Sequence, residues 1–240
     1  IDAATFYIQK SAYAKTSVVL PSGLKNAVVV FLHDFYDSPH VYPGLIFDDF
    51  WQWICFTIEI LQQSGVAFFI KPHPNQITLS DKALDLLKKK YPDLQWLPTG
   101  VNNVDLAKAG ISCGVTVYGT IAHELAYLGV PSIACAQHPH HEFDFCRTAK
   151  NRDEYRRYLL SPSDRFISVE KMRDQALAFY YMHNMYGTDD ELSLKHAFLD
   201  LWDICDKKDS TEIEILSRFR ALTNSAAFEK LVDVLSDDIS

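Results

Sequence analysis

Short continuous apolar runs alternate along most of the chain with longer segments of mixed apolar and polar character. The runs are rich in β-branched and aromatic residues, which is typical of strands buried on both faces of a sheet. They lie at residues 27–32, 66–71, 94–97, 111–117 and 130–136. Four helices are predicted between them, at residues 50–63, 80–90, 104–108 and 120–128. This alternation predicts an α/β fold, with a Rossmann-like parallel sheet covered by helices on both faces.

The strand signal ends near residue 153, and only helical patterns follow it. Three helices are predicted there, at residues 169–184, 191–205 and 211–236. We therefore expect two regions: an α/β domain over residues 1–165 and a helical C-terminal segment over residues 166–240.

Charge and cysteine usage narrow the class of protein. The chain has 23 Lys and Arg against 31 Asp and Glu, a net charge of −8, which disfavours binding to nucleic acid. Its five cysteines form no CxxC pair and predict free thiols in a reducing compartment. There is no signal-peptide pattern, and no apolar stretch approaches the roughly 20 residues of a membrane span. We expect a cytoplasmic protein.

Polar clusters follow three of the predicted strands at their carboxyl ends, where open parallel sheets bind ligands. They are His33 and Asp34 after the first strand, Lys71, His73 and Asn75 after the second, and Gly119, Thr120 and Glu124 after the strand at residues 111–117. Since these strand ends share one edge of the sheet, the clusters predict a single binding site.

The third cluster has the side chains that a nucleotide requires. Gly119 permits close approach of the backbone, and Thr120 can cap a helix whose first N–H groups attract an anion. Glu124, one turn later, can accept hydrogen bonds from a ribose diol. The competing interpretation is an ordinary helix entry with a solvated acid in its first turn.

The other clusters suit phosphate binding and, more weakly, catalysis. Lys71 and His73 can neutralise and hydrogen-bond a phosphate, and two flanking prolines hold His73 in an extended loop. His33 and Asp34 are weak candidates for a catalytic base, although Asp34 can equally cap its own loop. The QHPHH stretch at residues 137–141 lacks a zinc-ligand spacing, so we predict no metal site and place this loop at the rim of the pocket.

Four segments together resemble the capsule polysaccharide biosynthesis glycosyltransferases, which include the bacterial Kdo transferases and, more distantly, the polysialyltransferases. The segments are HDFYDSPH at residues 33–40, KPHPN at 71–75, VYGTIAHELAYLGVPSIA at 117–134 and FDFCRTAKNRDEYRRYL at 143–159. The resemblance covers about residues 27–160.

The resemblance implies the C-terminal, donor-binding half of a GT-B fold, with residues 1–165 as its nucleotide-sugar-binding domain. It implies that His73 contacts the donor phosphate and that Gly119, Thr120 and Glu124 hold phosphate and ribose. The family's catalytic base usually lies on an N-terminal domain, and only about 26 residues precede the first strand here. The catalytic residue is therefore unknown, and we expect a fragment, or a chain completed by an N-terminal GT-B domain or a partner chain.

The implied activity is transfer of a sugar from CMP-Kdo, or another CMP-sugar, to a capsule or lipopolysaccharide glycan. The donor is a substrate, and no cofactor is expected. The acceptor would be a glycan or glycolipid. Because a glycolipid acceptor lies in the membrane, we also expect peripheral association with the inner membrane. Two alternatives stay open: a teichoic-acid-type glycerophosphotransferase that uses CDP-glycerol, and a non-catalytic scaffold of a polysaccharide assembly complex.

Overall fold

The computed structural model describes residues 18–36, 44–74, 78–164 and 167–237. Five parallel strands form one sheet in the order β2-β1-β3-β4-β5. The strands are β1 (Val28–Phe31), β2 (Phe68–Lys71), β3 (Cys113–Val115), β4 (Ser132–Ala134) and β5 (Cys146–Thr148). The predicted α/β fold with a parallel sheet and a helical C-terminal region is confirmed.

Helices connect the first four strands to one another and make up the C-terminal region. They are α1 (Phe50–Ser64), α2 (Thr78–Lys90), α3 (Asn103–Lys108), α4 (Ile121–Tyr127), α5 (Arg152–Leu160), α6 (Val169–Tyr180), α7 (Asp189–Asp206), α8 (Glu212–Thr223) and α9 (Ala226–Asp237), with a π-helical turn at Tyr181–Met185. Of these helices, none combines the length and apolar character needed to cross a membrane.

Two of the strand predictions differ from the structure. The segment at 94–97 forms only one parallel bridge, Trp96 to Ile70, beside β2. The strand β5 was missed because its sequence, CRT, is too short and polar to appear as an apolar run. If the Trp96 bridge is counted as a rudimentary strand, the order becomes 3-2-1-4-5-6, which is the order of dinucleotide-binding Rossmann folds.

The sheet is buried on both faces, as the continuous apolar runs predict. Along β1 and its flanks, Val28, Val30 and Leu32 belong to one apolar cluster, and Val29 and Phe31 to the cluster on the opposite face. This alternation with a period of two follows from the pleat of a strand. The sheet is therefore packed between two apolar layers, and this packing fixes the positions of the polar residues at its strand ends.

Two compact units divide the chain after Tyr180. The helix α6 packs on α4 within the sheet unit, although the sequence prediction assigned it to the C-terminal segment. The boundary predicted after residue 165 stays a prediction. Within the C-terminal unit, α7 packs on α8 and α9. The helix predicted at residues 211–236 is two helices, because Asn224 ends α8 and the Ser225 hydroxyl accepts the N–H of Phe228 at the start of α9.

A buried hydrogen-bond network joins α1 to α5. The Trp53 indole N–H donates to the Tyr155 hydroxyl at 2.7 Å, and that hydroxyl lies 2.9 Å from Oγ1 of Thr57. Thr57 gives its own proton to the backbone carbonyl of Trp53 at 2.8 Å. Tyr155 must therefore donate to Thr57, so one hydroxyl serves as acceptor and donor at once.

Replacing Tyr155 by Phe should destabilise the fold by about 1–3 kcal/mol, because the Trp53 N–H and the Thr57 hydroxyl would each lose a partner in the core. Urea denaturation gives this free energy of unfolding. The matched control is Tyr158→Phe on the same helix, whose hydroxyl donates to Glu154 Oε1 at 2.7 Å near the surface. An equal loss of stability in the two variants would contradict the expected result.

Candidate functional site

The crevice between β1 and β3 is the point where the chain reverses its direction of travel across the sheet. From β1 the chain moves outward to β2, and it then returns to place β3 on the other side of β1. Ligands of open α/β sheets bind at such a reversal, beyond the carboxyl ends of the strands. His33 follows β1 and Thr116 follows β3, and His33 Nε2 lies 3.1 Å from Thr116 Oγ1. This hydrogen bond spans the floor of the crevice.

The imidazole of His33 is packed among aromatic rings at this point. Its centroid is 4.6 Å from that of Tyr118 and 5.3 Å from that of Phe50. Burial, with smaller contributions from the nearby His73 and His138, lowers the pKa of His33 to about 3. The ring is neutral at pH 7, where a group of this pKa is a weak general base. It is suited to hydrogen bonding rather than to proton abstraction.

Asp34, the other weak catalytic candidate, anchors the loop that follows β1. Its Oδ1 accepts the Ser80 hydroxyl at 2.6 Å and the Tyr36 N–H at 2.9 Å. The helix predicted to begin at residue 80 begins at Thr78 as α2, so Ser80 lies inside it and is buried. These contacts match the loop-capping interpretation of Asp34.

Gly119 lies against the protein's own side chains at the crevice. Its N–H donates to Thr116 Oγ1 at 3.2 Å. A Cβ atom at Gly119 would lie 2.8 Å from Thr116 Oγ1 and 3.4 Å from His33 Nε2. The absence of a side chain is therefore required by the packing of the crevice, before any approach of a ligand is considered.

Thr120 is exposed, and its hydroxyl does not cap α4 as we expected. Its φ of −56° and ψ of −20° are helical, whereas a capping residue needs an extended conformation for its side chain to reach back. The cap prediction was wrong. The buried Thr116, three residues earlier than Gly119, makes the side-chain hydrogen bond at this turn.

A buried cation and a carboxylate approach each other beside the crevice. Lys71 ends β2, and its Nζ lies 5.7 Å from the centre of the Phe31 ring. Burial lowers the pKa of Lys71, and the charge of Glu124 opposes that effect by raising it. Glu124 Oε2 accepts the side-chain amide of Asn103 at 2.9 Å. The structure thus brings Lys71 and Glu124, which are far apart in sequence, into electrostatic contact.

The predicted loop after β2 is only partly described. His73 is half-buried and close enough to His33 to lower its pKa. Asn75 lies outside the described residues. Lys71 and His73 therefore both lie beside the crevice, at the carboxyl end of β2. Lys71 interacts electrostatically with Glu124, and His73 with His33.

Sequence reasoning missed two buried polar residues at this edge, Thr116 and Asn103, and misplaced a third, His138. His138 was placed at the rim, yet it is buried after β4 and its charge acts on His33. Its Nδ1 accepts the N–H of His140 at 3.3 Å, which leaves the proton of the neutral ring on Nε2. Its position just beyond an apolar strand was the available signal. In the part of the chain that the structure describes, no three His, Cys, Asp or Glu side chains form a metal-binding group.

No protein-family model matches the chain, and no curated protein matches it significantly. Among solved structures, the wall teichoic acid polymerase TagF is similar with a TM-score of 0.40 and 14% identity, over 67% of this chain. A second structure of that polymerase, a variant soaked with CDPG, gives a TM-score of 0.37 and 13% identity over 67% of this chain. The chain spans 39% and 38% of those two chains. Likeness at this level transfers no activity.

Replacing Gly119 by Ala should destabilise the fold by about 1–3 kcal/mol, because the new methyl group would lie 2.8 Å from Thr116 Oγ1 and must displace it. Thermal or urea denaturation measures the loss. The control is Gly187→Ala, where the added Cβ would meet Leu192 and Glu191 atoms only at 3.4–3.5 Å. If Gly119→Ala were as stable as the control, the packing argument for this glycine would fail.

Stability should depend on the buried imidazole of His33 below neutral pH. The unfolded chain binds a proton at this residue near pH 6.5, whereas the native chain does so only near pH 3. The native state is therefore destabilised as pH falls through 6.5, and by pH 5 the effect reaches about 2 kcal/mol.

Urea denaturation of the wild type and of His33→Asn at pH 7 and pH 5 tests this expectation. The wild type should lose about 2 kcal/mol more than the variant between the two pH values. His196→Asn, on an exposed position of α7, is the control and should follow the wild type. Parallel losses in His33→Asn and the wild type would show that His33 is not the group responsible.

Proposed function

We propose that this chain is the donor-binding half of a glycosyltransferase, and that the crevice between β1 and β3 binds the nucleotide of a nucleotide-linked donor. The observation that carries the proposal is the convergence of His33, Lys71, His73 and Glu124 at that crevice from three separate strand ends. Convergence at the topological reversal of a parallel sheet is the usual arrangement of nucleotide sites in this fold class.

The chemistry of the crevice favours an anion on one side. Lys71 has a lowered pKa because it is buried, and its ammonium lacks the water that would otherwise screen it. His33, His73 and His138 interact closely enough for the latter two to oppose protonation of the first. A phosphate placed among these groups would relieve both effects. The site supports phosphate binding although the whole chain carries a net charge of −8.

The other side of the crevice favours a hydroxyl donor. The Glu124 carboxylate accepts the side-chain amide of Asn103, and its negative charge acts on the buried Lys71. A ribose diol next to a phosphate presents the hydroxyl donors that such a carboxylate accepts. A crevice that can bind a phosphate on one side and a ribose diol on the other supports a nucleotide as the ligand, rather than a simple phosphorylated sugar.

The sequence resemblance favours CMP-Kdo or another CMP-sugar as the donor, and a capsule or lipopolysaccharide glycan or glycolipid as the acceptor. An N-terminal GT-B domain or a partner chain would supply the catalytic base, since the pKa of His33 is lowered to about 3 and Asp34 is engaged with Ser80. Peripheral contact with the inner membrane would follow from a lipid-linked acceptor. CDP-glycerol transfer and a scaffold role remain the competing functions.

Calorimetric titration against CMP-, CDP-, UDP- and GDP-linked compounds tests the proposal and ranks the donors. A CMP-sugar should bind more tightly than CDP-glycerol, and the reverse order would favour the glycerophosphotransferase. Donor hydrolysis or transfer, measured with the full-length protein, separates an enzyme from a scaffold. If no compound binds the folded protein, the nucleotide-site proposal is wrong.

His73→Ala and Glu124→Ala should each weaken binding of the best nucleotide about 10-fold or more, because each removes a hydrogen bond to a charged group worth about 1.5–3 kcal/mol. The same titration measures both variants. His196→Ala on α7 and Glu229→Ala on α9 are matched controls on the separate C-terminal unit and should bind like the wild type. Unchanged affinity in both site variants would contradict the assignment.

A further inference from the structure

Asn103 is a buried polar residue that contacts the Glu124 carboxylate. It is the first residue of α3, and only 4% of its surface is exposed. Its Nδ2 donates to Glu124 Oε2 at 2.9 Å across 21 residues of sequence. The structure gives its Oδ1, which is also buried, no hydrogen-bond partner.

The orientation of this amide is fixed by the charge of its neighbour. An ionised carboxylate accepts hydrogen bonds and donates none, so the NH₂ group must face Glu124 and Oδ1 must face away from it. The opposite orientation would set two acceptor oxygens against each other. The negative charge of Glu124 also acts on Lys71, where it opposes the lowering of the Lys71 pKa by burial.

The side-chain amide of Asn103 is not required to cap α3. The cap of α3 is made by the preceding residue, because Asn102 Oδ1 accepts the Asp105 N–H at 2.7 Å. Burying an amide with an unsatisfied oxygen is unfavourable, and an apolar side chain of similar size would avoid that penalty. What Asn103 adds that Leu cannot is one hydrogen bond to Glu124.

We propose that Asn103 is a positioning residue that fixes the Glu124 carboxylate for a ribose diol, and that the site consequently selects ribonucleotides over 2′-deoxyribonucleotides. This inference rests on the proposed nucleotide site. A carboxylate tied at one oxygen has a fixed orientation, so it can engage two neighbouring hydroxyls at once. A nucleotide without the 2′-hydroxyl offers one donor fewer and loses that part of the binding.

Titration of the whole chain with CMP and 2′-deoxy-CMP tests the inference. The wild type should bind CMP about 10-fold more tightly, which is the effect of one hydrogen bond to a charged group. Asn103→Leu should reduce this preference to about 2-fold or less, mainly by weakening CMP. The matched control is Asn102→Leu, which removes the cap of the same helix and should keep the wild-type preference.

Asn103→Asp gives a second readout that a merely structural role would not change. Two carboxylates at this contact would share a proton at low pH and repel each other at higher pH. Lys71 on β2 acts on Glu124 electrostatically. The other titratable residues on the two helices that carry Asn103 and Glu124 include Asp105 on α3 and His123 on α4. Relative to wild type at each pH, CMP affinity of this variant should approach normal near pH 5 and fall as the pH rises to 8.

The possible outcomes are distinct. Loss of the CMP preference in Asn103→Leu, with the pH-dependent recovery in Asn103→Asp, supports the inference. Retention of the preference in a folded Asn103→Leu overturns it while leaving the nucleotide site intact. Equal binding of CMP and 2′-deoxy-CMP by the wild type also overturns it. Failure of the wild type to bind either nucleotide overturns both the inference and the proposed function.

Discussion

The hydroxyl of Thr116 is the group around which the carboxyl edge of the sheet is organised. It lies 3.1 Å from His33 Nε2 after the neighbouring strand and accepts the N–H of Gly119 within its own turn. One buried oxygen therefore joins the ends of β1 and β3 and sets the path of the chain into α4. Gly119 must lack a side chain because this oxygen occupies the space, and His33 must stay neutral because it is enclosed beside it.

Basic side chains and a carboxylate lie close together at this edge of the sheet, and burial and charge act on them in opposite directions. Burial lowers the pKa of Lys71 and of His33, whereas the Glu124 carboxylate counteracts that effect at Lys71. Burying such groups is unfavourable in an isolated fold. At the nucleotide site that we propose, a bound anion would add a counter-charge and would stabilise the native state by mass action.

Much of the fold was predictable because burial of the sheet on both faces leaves a direct mark on the sequence. Val28 and Val29 face opposite apolar layers, so the run shows no polar position. The strand at Cys146–Thr148 has no such mark, since it is three residues long and includes Arg147. The convergence of His33 with Thr116 follows from strand topology. The contact of Asn103 with Glu124 does not, because it depends on how α3 packs against α4.

The Trp53–Tyr155 hydrogen bond also bears on the order in which the chain can fold during synthesis. Its partners are 102 residues apart, and Thr57 and Tyr155 are separated by 98. Until the ribosome has released α5, the indole N–H of α1 has no partner in the core. β5 immediately precedes α5 in the chain, so β4 also lacks its outer neighbour until shortly before that point. The early strands can associate as they emerge, but the sheet unit closes in a late, long-range step. Its nascent form therefore exposes both an unpaired strand edge and the apolar face of α1.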